Sequence, residues 1–176
     1  MIETERLILR AWRDADREPY ADIMVHPEVG PWLGGPFTRE QAHARVDRFT
    51  ASLAETGLGR LAVERKADDR LIGHCGLAPS PVAETVPQGL EIGWALAPEA
   101  WGSGFAVEAA RAVIADGFAR TEAPEILAFT GTANLRSQAV MQRLGMIRMA
   151  ERDFDHPSLA ADHPLHRHIV YVAPRP

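Results

Sequence analysis

The chain has 176 residues, 46% of them hydrophobic, enough for one domain with a full core. Its formal net charge is -5 and its basic residues are scattered, which argues against a nucleic-acid partner and mildly suits a cationic ligand. Cys75 stands alone, so no intramolecular disulfide can form; the N-terminus has no apolar signal region and no apolar run approaches the ~20 residues of a membrane span, so a soluble, cytoplasmic protein with no membrane partner is expected.

In chain order, Arg6 to Trp12 reads as a first strand, and Asp14 can cap a short helix toward His26. Pro31 to Pro36 is a loop by composition. Thr38 and Gln41 form a capping-box pattern ahead of Ala42, Val46, Phe49 and Leu53, which recur at helical spacing until Gly57 and Gly59. Arg60–Arg65 and Leu71–Ala78 read as a hairpin around Asp68 and Asp69, and Pro79 to Gln88 as a proline-rich loop. Leu90–Leu96 is a strand, Gly104 to Arg120 a long helix and Ile126–Thr130 a strand. Asn134 caps a helix ending near Leu144 and Gly145; Met146–Arg152 and His166–Val172 close the chain as strands. Hairpins mixed with crossovers predict a mixed α+β domain spanning 1–176, whose sheet is not fully parallel.

The segment Trp101-Gly102-Ser103-Gly104-Phe105-Ala106 lies between strand 90–96 and the long helix. The first N–H groups of a helix have no intrahelical partner, and the helix dipole favours negative charge there. Gly102 and Gly104 permit positive φ and a close approach of ligand to backbone. The turn therefore predicts a phosphate or pyrophosphate ligand. A P-loop would need a lysine, which Ser103-Gly104-Phe105 lacks, and a dinucleotide turn would need a third glycine where Val107 stands. An acyl-CoA turn remains, or a glycine loop with no ligand. On the preceding strand Glu91, Gly93 and Ala95 share one face, a carboxylate beside two tiny side chains, with room for a slender pantetheine arm. Gly93 reads alternatively as a bulge, and Glu91 as the partner of a surface arginine.

Leu90-Glu91-Ile92-Gly93-Trp94 followed by Trp101 to Ala109 resembles the acetyl-CoA motif of the GCN5-related N-acetyltransferase (GNAT) superfamily. Asn134-Leu135-Arg136-Ser137 with Leu144-Gly145-Met146, Gly34-Gly35-Pro36-Phe37-Thr38 near the start, and Phe154 to Pro157 with His163 to Tyr171 at the end are similar to its RimJ/RimL-type branch. The resemblance covers nearly the whole chain. It implies an α+β fold with a mixed, mostly antiparallel central sheet of about seven strands flanked by about four helices, splayed near strands 90–96 and 126–130, with acetyl-CoA as cosubstrate and an amine as acceptor. It also implies contacts to acetyl-CoA from Trp94, Ala95, Leu96, Trp101, Gly102, Ser103, Gly104, Phe105, Ala106 and Asn134. Ala100 departs from the Gln or Arg often found two residues before the first glycine, which leaves the pyrophosphate without that side-chain anchor.

For direct attack of an amine on the thioester, Glu91 is the first candidate for proton acceptor; its other readings are substrate binding or an ion pair. The resemblance points to Ser137 as the donor to the leaving sulfur, since no tyrosine occurs on its helix; otherwise Ser137 is a first-turn serine bonded to backbone. Asn134 serves as helix cap, pantetheine contact or both. Cys75, in an apolar strand, reads as a core residue. Trp32, His74 and His156 are candidate acceptor-site residues, with packing as the alternative for Trp32 and a structural role for His74. His166 and His168 would share one face of a strand, yet no second pair supports a metal site, so no metal is expected. The acceptor is a protein N-terminus or a small amine, and loops 26–38, 79–89 and 153–165 would select it. A noncatalytic acyl-CoA sensor is the alternative reading, and a homodimer follows only as a habit of the branch.

Overall fold

The computed structural model describes residues 1–80 and 85–176, so part of the predicted loop 79–89 lies outside the described residues. Among the described residues nine strands form one sheet: β1 (Ile2–Glu3), β2 (Leu7–Arg10), β3 (Arg60–Arg65), β4 (Arg70–Pro79), β5 (Leu90–Leu96), β6 (Glu125–Gly131), β7 (Ile147–Arg148), β8 (Phe154–Asp155) and β9 (Arg167–Pro174). The spatial order is β1-β2-β3-β4-β5-β6-β9-β7, with β8 also paired to β9. Every pairing is antiparallel except β5 with β6. Four helices, α1 (Arg17–Val25), α2 (Arg39–Thr56), α3 (Phe105–Arg120) and α4 (Leu135–Arg143), complete the predicted α+β architecture.

The two faces of the sheet are covered by different helices. Ala109, Ala110 and Val113 of α3 pack on Cys75, Leu77 and Ile92 in the main core. Tyr20, Ala21 and Met24 of α1 join Ala42 and Val46 of α2 in a second core over the opposite face. The capping box of α2 forms as the spacing predicts: Gln41 N–H donates to Thr38 Oγ1 at 3.2 Å, and Thr38 N–H to Gln41 Oε1 at 2.9 Å. A buried ion network fixes the entry to α1, with the Arg10 guanidinium donating to Asp16 at 2.7 and 2.9 Å and to Glu64 at 2.8 Å.

The structure corrects three sequence expectations. The sheet has nine strands where about seven were expected, because short pairings at Ile2–Glu3 and Phe154–Asp155 leave little trace in the sequence pattern. The predicted strand 146–152 shrinks to Ile147–Arg148, because the Asp153 carboxylate accepts the Val170 N–H at 3.1 Å and so replaces a strand partner on β9. His166 precedes β9, and its Nδ1 lies 3.0 Å from the Leu159 carbonyl, so it does not share a strand face with His168.

Candidate active site

β5 and β6 are paired only at Leu90↔Ile126 and Glu91↔Leu127, although β5 runs on to Leu96 and β6 to Gly131. The two parallel strands therefore part, as the resemblance implied. A cavity of about 1330 Å³ occupies the gap and reaches both faces of the sheet, from Arg111 and Val140 on one side to Trp32, Arg45 and His74 on the other. Ala97 N–H donates to the Ile72 carbonyl. By the alternation of an antiparallel ladder, Ile92, Trp94 and Leu96 then turn their backbone groups away from β4 and toward the opening.

At one end lies the glycine turn. Gly102 and Gly104 have φ of 73° and 80°, and no atom lies within 4 Å of where a Gly102 Cβ would stand. The first helical bond of α3 runs from Glu108 N–H to the Gly104 carbonyl, leaving the N–H groups of Phe105, Ala106 and Val107 without acceptors among the described residues. Arg6 reaches over the turn: its Nε donates to Glu108 at 2.6 Å, Nη1 donates to the Ser103 carbonyl at 3.0 Å, and the guanidinium covers the Phe105 ring at 4.5 Å. Trp101 Nε1 donates to the Leu96 carbonyl at 2.9 Å, strapping the turn to β5, while Arg136 stacks 4.2 Å above its indole. Arg111 and Arg143 also line this part of the cavity. Open backbone donors ringed by guanidinium groups suit a phosphate-bearing ligand. Arg6, which sequence reasoning passed over, supplies a cation at the turn although Ala100 supplies none.

The other end is built from side chains on four elements. Glu91 is 14% exposed and its Oε1 accepts from Arg60 at 2.9 Å. Arg60 also donates to the backbone carbonyls of Glu91 and Gly76. The partner of Glu91 is thus an arginine whose side chain is only 11% exposed, not a surface one. A Cβ on Gly93 would stand 2.7 Å from the Arg60 guanidinium, so the small side chain there makes room for Arg60. Burial pushes the Glu91 carboxyl above its ordinary range, opposed by Arg60. His74 is buried, with Nδ1 3.1 Å from the Tyr20 hydroxyl; burial, reinforced by Arg45 and Arg60, holds it neutral. Cys75 is fully buried and its thiol is pushed up to about 12, so it is not a nucleophile.

Across the gap, Asn134 caps α4: its Oδ1 accepts from Ser137 N–H at 3.2 Å, and its Nδ2 donates to Thr130 Oγ1 at 3.0 Å. The Ser137 hydroxyl makes no hydrogen bond to a described residue, so the backbone-bonded reading of this serine does not apply. His156 sits with its ring centroid 5.0 Å from that of His168, and burial drives His168 to about 4. Among the described residues, no group of three or more His, Cys, Asp or Glu side chains could hold a metal ion, and no helix is long and apolar enough to cross a membrane.

Residues 6–147 match the family described as the acetyltransferase (GNAT) domain. The chain belongs to the GNAT acetyltransferase family. It is 31% identical over 147 residues to the uncharacterized N-acetyltransferase YoaA of Bacillus subtilis, covering 82% of this chain and 81% of that protein. It is 30% identical over 152 residues to the FsC-acetyl coenzyme A-N(2)-transacetylase of Aspergillus fumigatus, covering 82% of this chain and 64% of that protein. The crystal structure of an acetyltransferase from Agrobacterium tumefaciens superposes with a TM-score of 0.79 at 26% identity, covering 99% of this chain and 94% of that one. Family and fold make this chain a GNAT-type acyltransferase with acetyl-CoA as cosubstrate.

Within this GNAT domain the one cavity gathers every sequence-predicted site residue, from Trp32, His74, Glu91 and Trp94 through the turn at 101–106 to Asn134, Ser137 and His156. Arg6, Arg45, Arg60 and His168 also line it and were not anticipated. Among the described residues its walls carry six arginines and three glutamates, so the overall acidic balance is reversed in this cavity.

Proposed function

We propose that the chain transfers the acetyl group of acetyl-CoA directly to the nitrogen of a primary amine, either a protein N-terminus or a small-molecule amine, within a RimJ/RimL-type framework. The observation that carries this reading is the through-sheet cavity, with unused α3 N–H groups at one end and the Glu91 carboxylate and Ser137 hydroxyl facing into it. The N-acetyl transfer named for the Bacillus and Aspergillus relatives supports nitrogen as the acceptor atom.

Acetyl-CoA supplies the acetyl group as an activated thioester. The N–H groups of Phe105, Ala106 and Val107, with Arg6 and Arg136, hold its phosphates. Inward-facing backbone N–H groups of β5 stabilise the negative charge that builds on the thioester oxygen. Glu91 removes the proton of the attacking ammonium, directly or through a water, and its raised pKa makes it a better base than an exposed carboxylate. Holding an α-amine with pKa near ~8 neutral at pH 7 costs about 1.4 kcal/mol, whereas a lysine-like amine near ~10.4 costs roughly 4–5 kcal/mol, so the base matters most for the latter. The Ser137 O–H donates toward the departing sulfur.

Two measurements test the proposal. Thermal unfolding with acetyl-CoA at 100 times its Kd should show about 2.7 kcal/mol of added stability, with no effect of ATP or NAD. Thiol release in the presence of an amine panel should then appear with at least one acceptor. A thermal shift with no thiol release for any amine would support an acyl-CoA sensor instead.

A further inference from the structure

Arg45, on the face of α2 that looks into the acceptor end of the cavity, is a guanidinium without a carboxylate. Its charge lies over the Phe37 and Phe49 rings at 5.1 and 5.5 Å, beside the Tyr20 hydroxyl. Its Nε is buried and has no hydrogen-bond acceptor among the described residues. Acids on the elements that build this end have other partners: Asp47 of α2 pairs with Arg17 at 2.5 Å, Glu18 and Asp22 of α1 with Arg39, and Glu91 of β5 with Arg60 at 2.9 Å. No ion pair involves Arg45 among the described residues. A guanidinium that lines the cavity with no ion-pair partner among the described residues favours an anion in the space it faces. The other groups near this end add no negative charge to satisfy it, since His74 is neutral and Arg60 is itself a cation. The arginines around the turn, Arg6 and Arg136, are on Phe105 and Trp101 and serve the other end.

We infer that Arg45 binds a carboxylate carried by the acceptor itself, so that the acceptor is an amino-acid-like amine and not a polyamine or a peptide N-terminus. The guanidinium fork matches a carboxylate in two parallel hydrogen bonds, while Phe37 and Phe49 hold its plane. The positive charge of Arg45 and Arg60 repels a second ammonium on the acceptor and eases loss of the proton from the one that reacts. This inference rests on the N-acetyl-transfer reading and narrows its acceptor class.

The test uses pairs of amines that differ only in the anion: each of the twenty amino acids against its amide, whose blocked carboxylate also stands in for a peptide N-terminus, with spermidine as a polyamine control. In native protein at least one amino acid should exceed its amide tenfold or more in kcat/KM, and spermidine should be poor. In Arg45→Gln the acid-to-amide ratio should fall at least tenfold through KM, and Arg45→Lys should restore part of it. Retention of the acetyl-CoA thermal shift in both variants shows that the fold survives. Equal use of acids and amides by the native protein, or an Arg45→Gln loss that is the same for both, overturns the inference. If no amine is acetylated, the transfer reading fails on its own. The anion site is then read by unfolding of the coenzyme A complex: stabilisation by amino acids over amides in native protein but not in Arg45→Gln supports it, and equal stabilisation overturns it.

Discussion

The two ends of the cavity are built on different principles. The turn end is mainly backbone: the α3 N–H groups and two left-handed glycines, all within residues 102–107, with arginines closing around them. The acceptor end is side chains drawn from α2, β3, β4 and β5, among them Arg45, Arg60, His74 and Glu91. Backbone geometry recognises a feature common to many ligands, whereas a constellation of side chains can change one member at a time. The contrast explains how a family can keep its cosubstrate while its acceptors differ.

The sharpest way to separate the two ends is Glu91→Gln. It should lower kcat by roughly 10²–10⁴-fold, the usual worth of a general base, with the acetyl-CoA thermal shift intact. Removing Arg60 instead should leave Glu91 with burial unopposed and move the acidic limb of the pH–rate profile upward. If Glu91→Gln keeps full activity, the carboxylate serves only to position Arg60. The converse break is Gly104→Val. Valine at a φ of 80° is strained by roughly 1–3 kcal/mol and distorts the turn, so the KM for acetyl-CoA should rise about tenfold or more, with a smaller change for the acceptor.

Acid titration reaches the histidines of the acceptor side first, before the carboxylates. His74, His156 and His168 all have folded pKa values below 6.5, through burial first, and that of His168 lies at about 4. The unfolded chain takes up protons on these rings as pH falls below ~6.5, while the folded protein does not, so folding stability is present above that pH and drains away as pH falls toward about 4. The melting temperature should decline over this window, and His168→Gln should flatten part of the decline; an unchanged slope would place the lost stability elsewhere. The smallest effect is Thr38→Ala, which removes the α2 cap for about 1 kcal/mol in chemical denaturation. Because α2 carries Arg45, this loss should raise the acceptor KM more than that of acetyl-CoA.

Local signals read well where one stretch of chain does the work. The Thr38–Gln41 capping box, the bounds of β5, and the order of strand, glycine turn and helix around residues 90–120 are written in neighbouring residues. The short strands at Ile2–Glu3 and Phe154–Asp155 are not, because two residues carry no measurable alternation and exist only through their partners. Asp153 ends β7 by a side-chain bond to β9, which no propensity anticipates.

The site divides the same way. The sequence by itself determined the glycine turn ahead of α3, since glycine conformation and the open N–H groups of a helix start depend on order along the chain. It also placed Glu91 on the face opposite Ile92 and Trp94, since strand alternation has a period of two. Arg45 could have drawn notice as a cation bordering the apolar stripe of Ala42, Val46 and Phe49 on α2. Only the tertiary structure decided that Gly93 is small to admit Arg60, that Arg60 and Glu91 pair across β4, and that Arg45 is left with no acid of its own. These facts depend on register across three strands and on which partners have already been taken, and both arise from how distant segments meet rather than from any one of them.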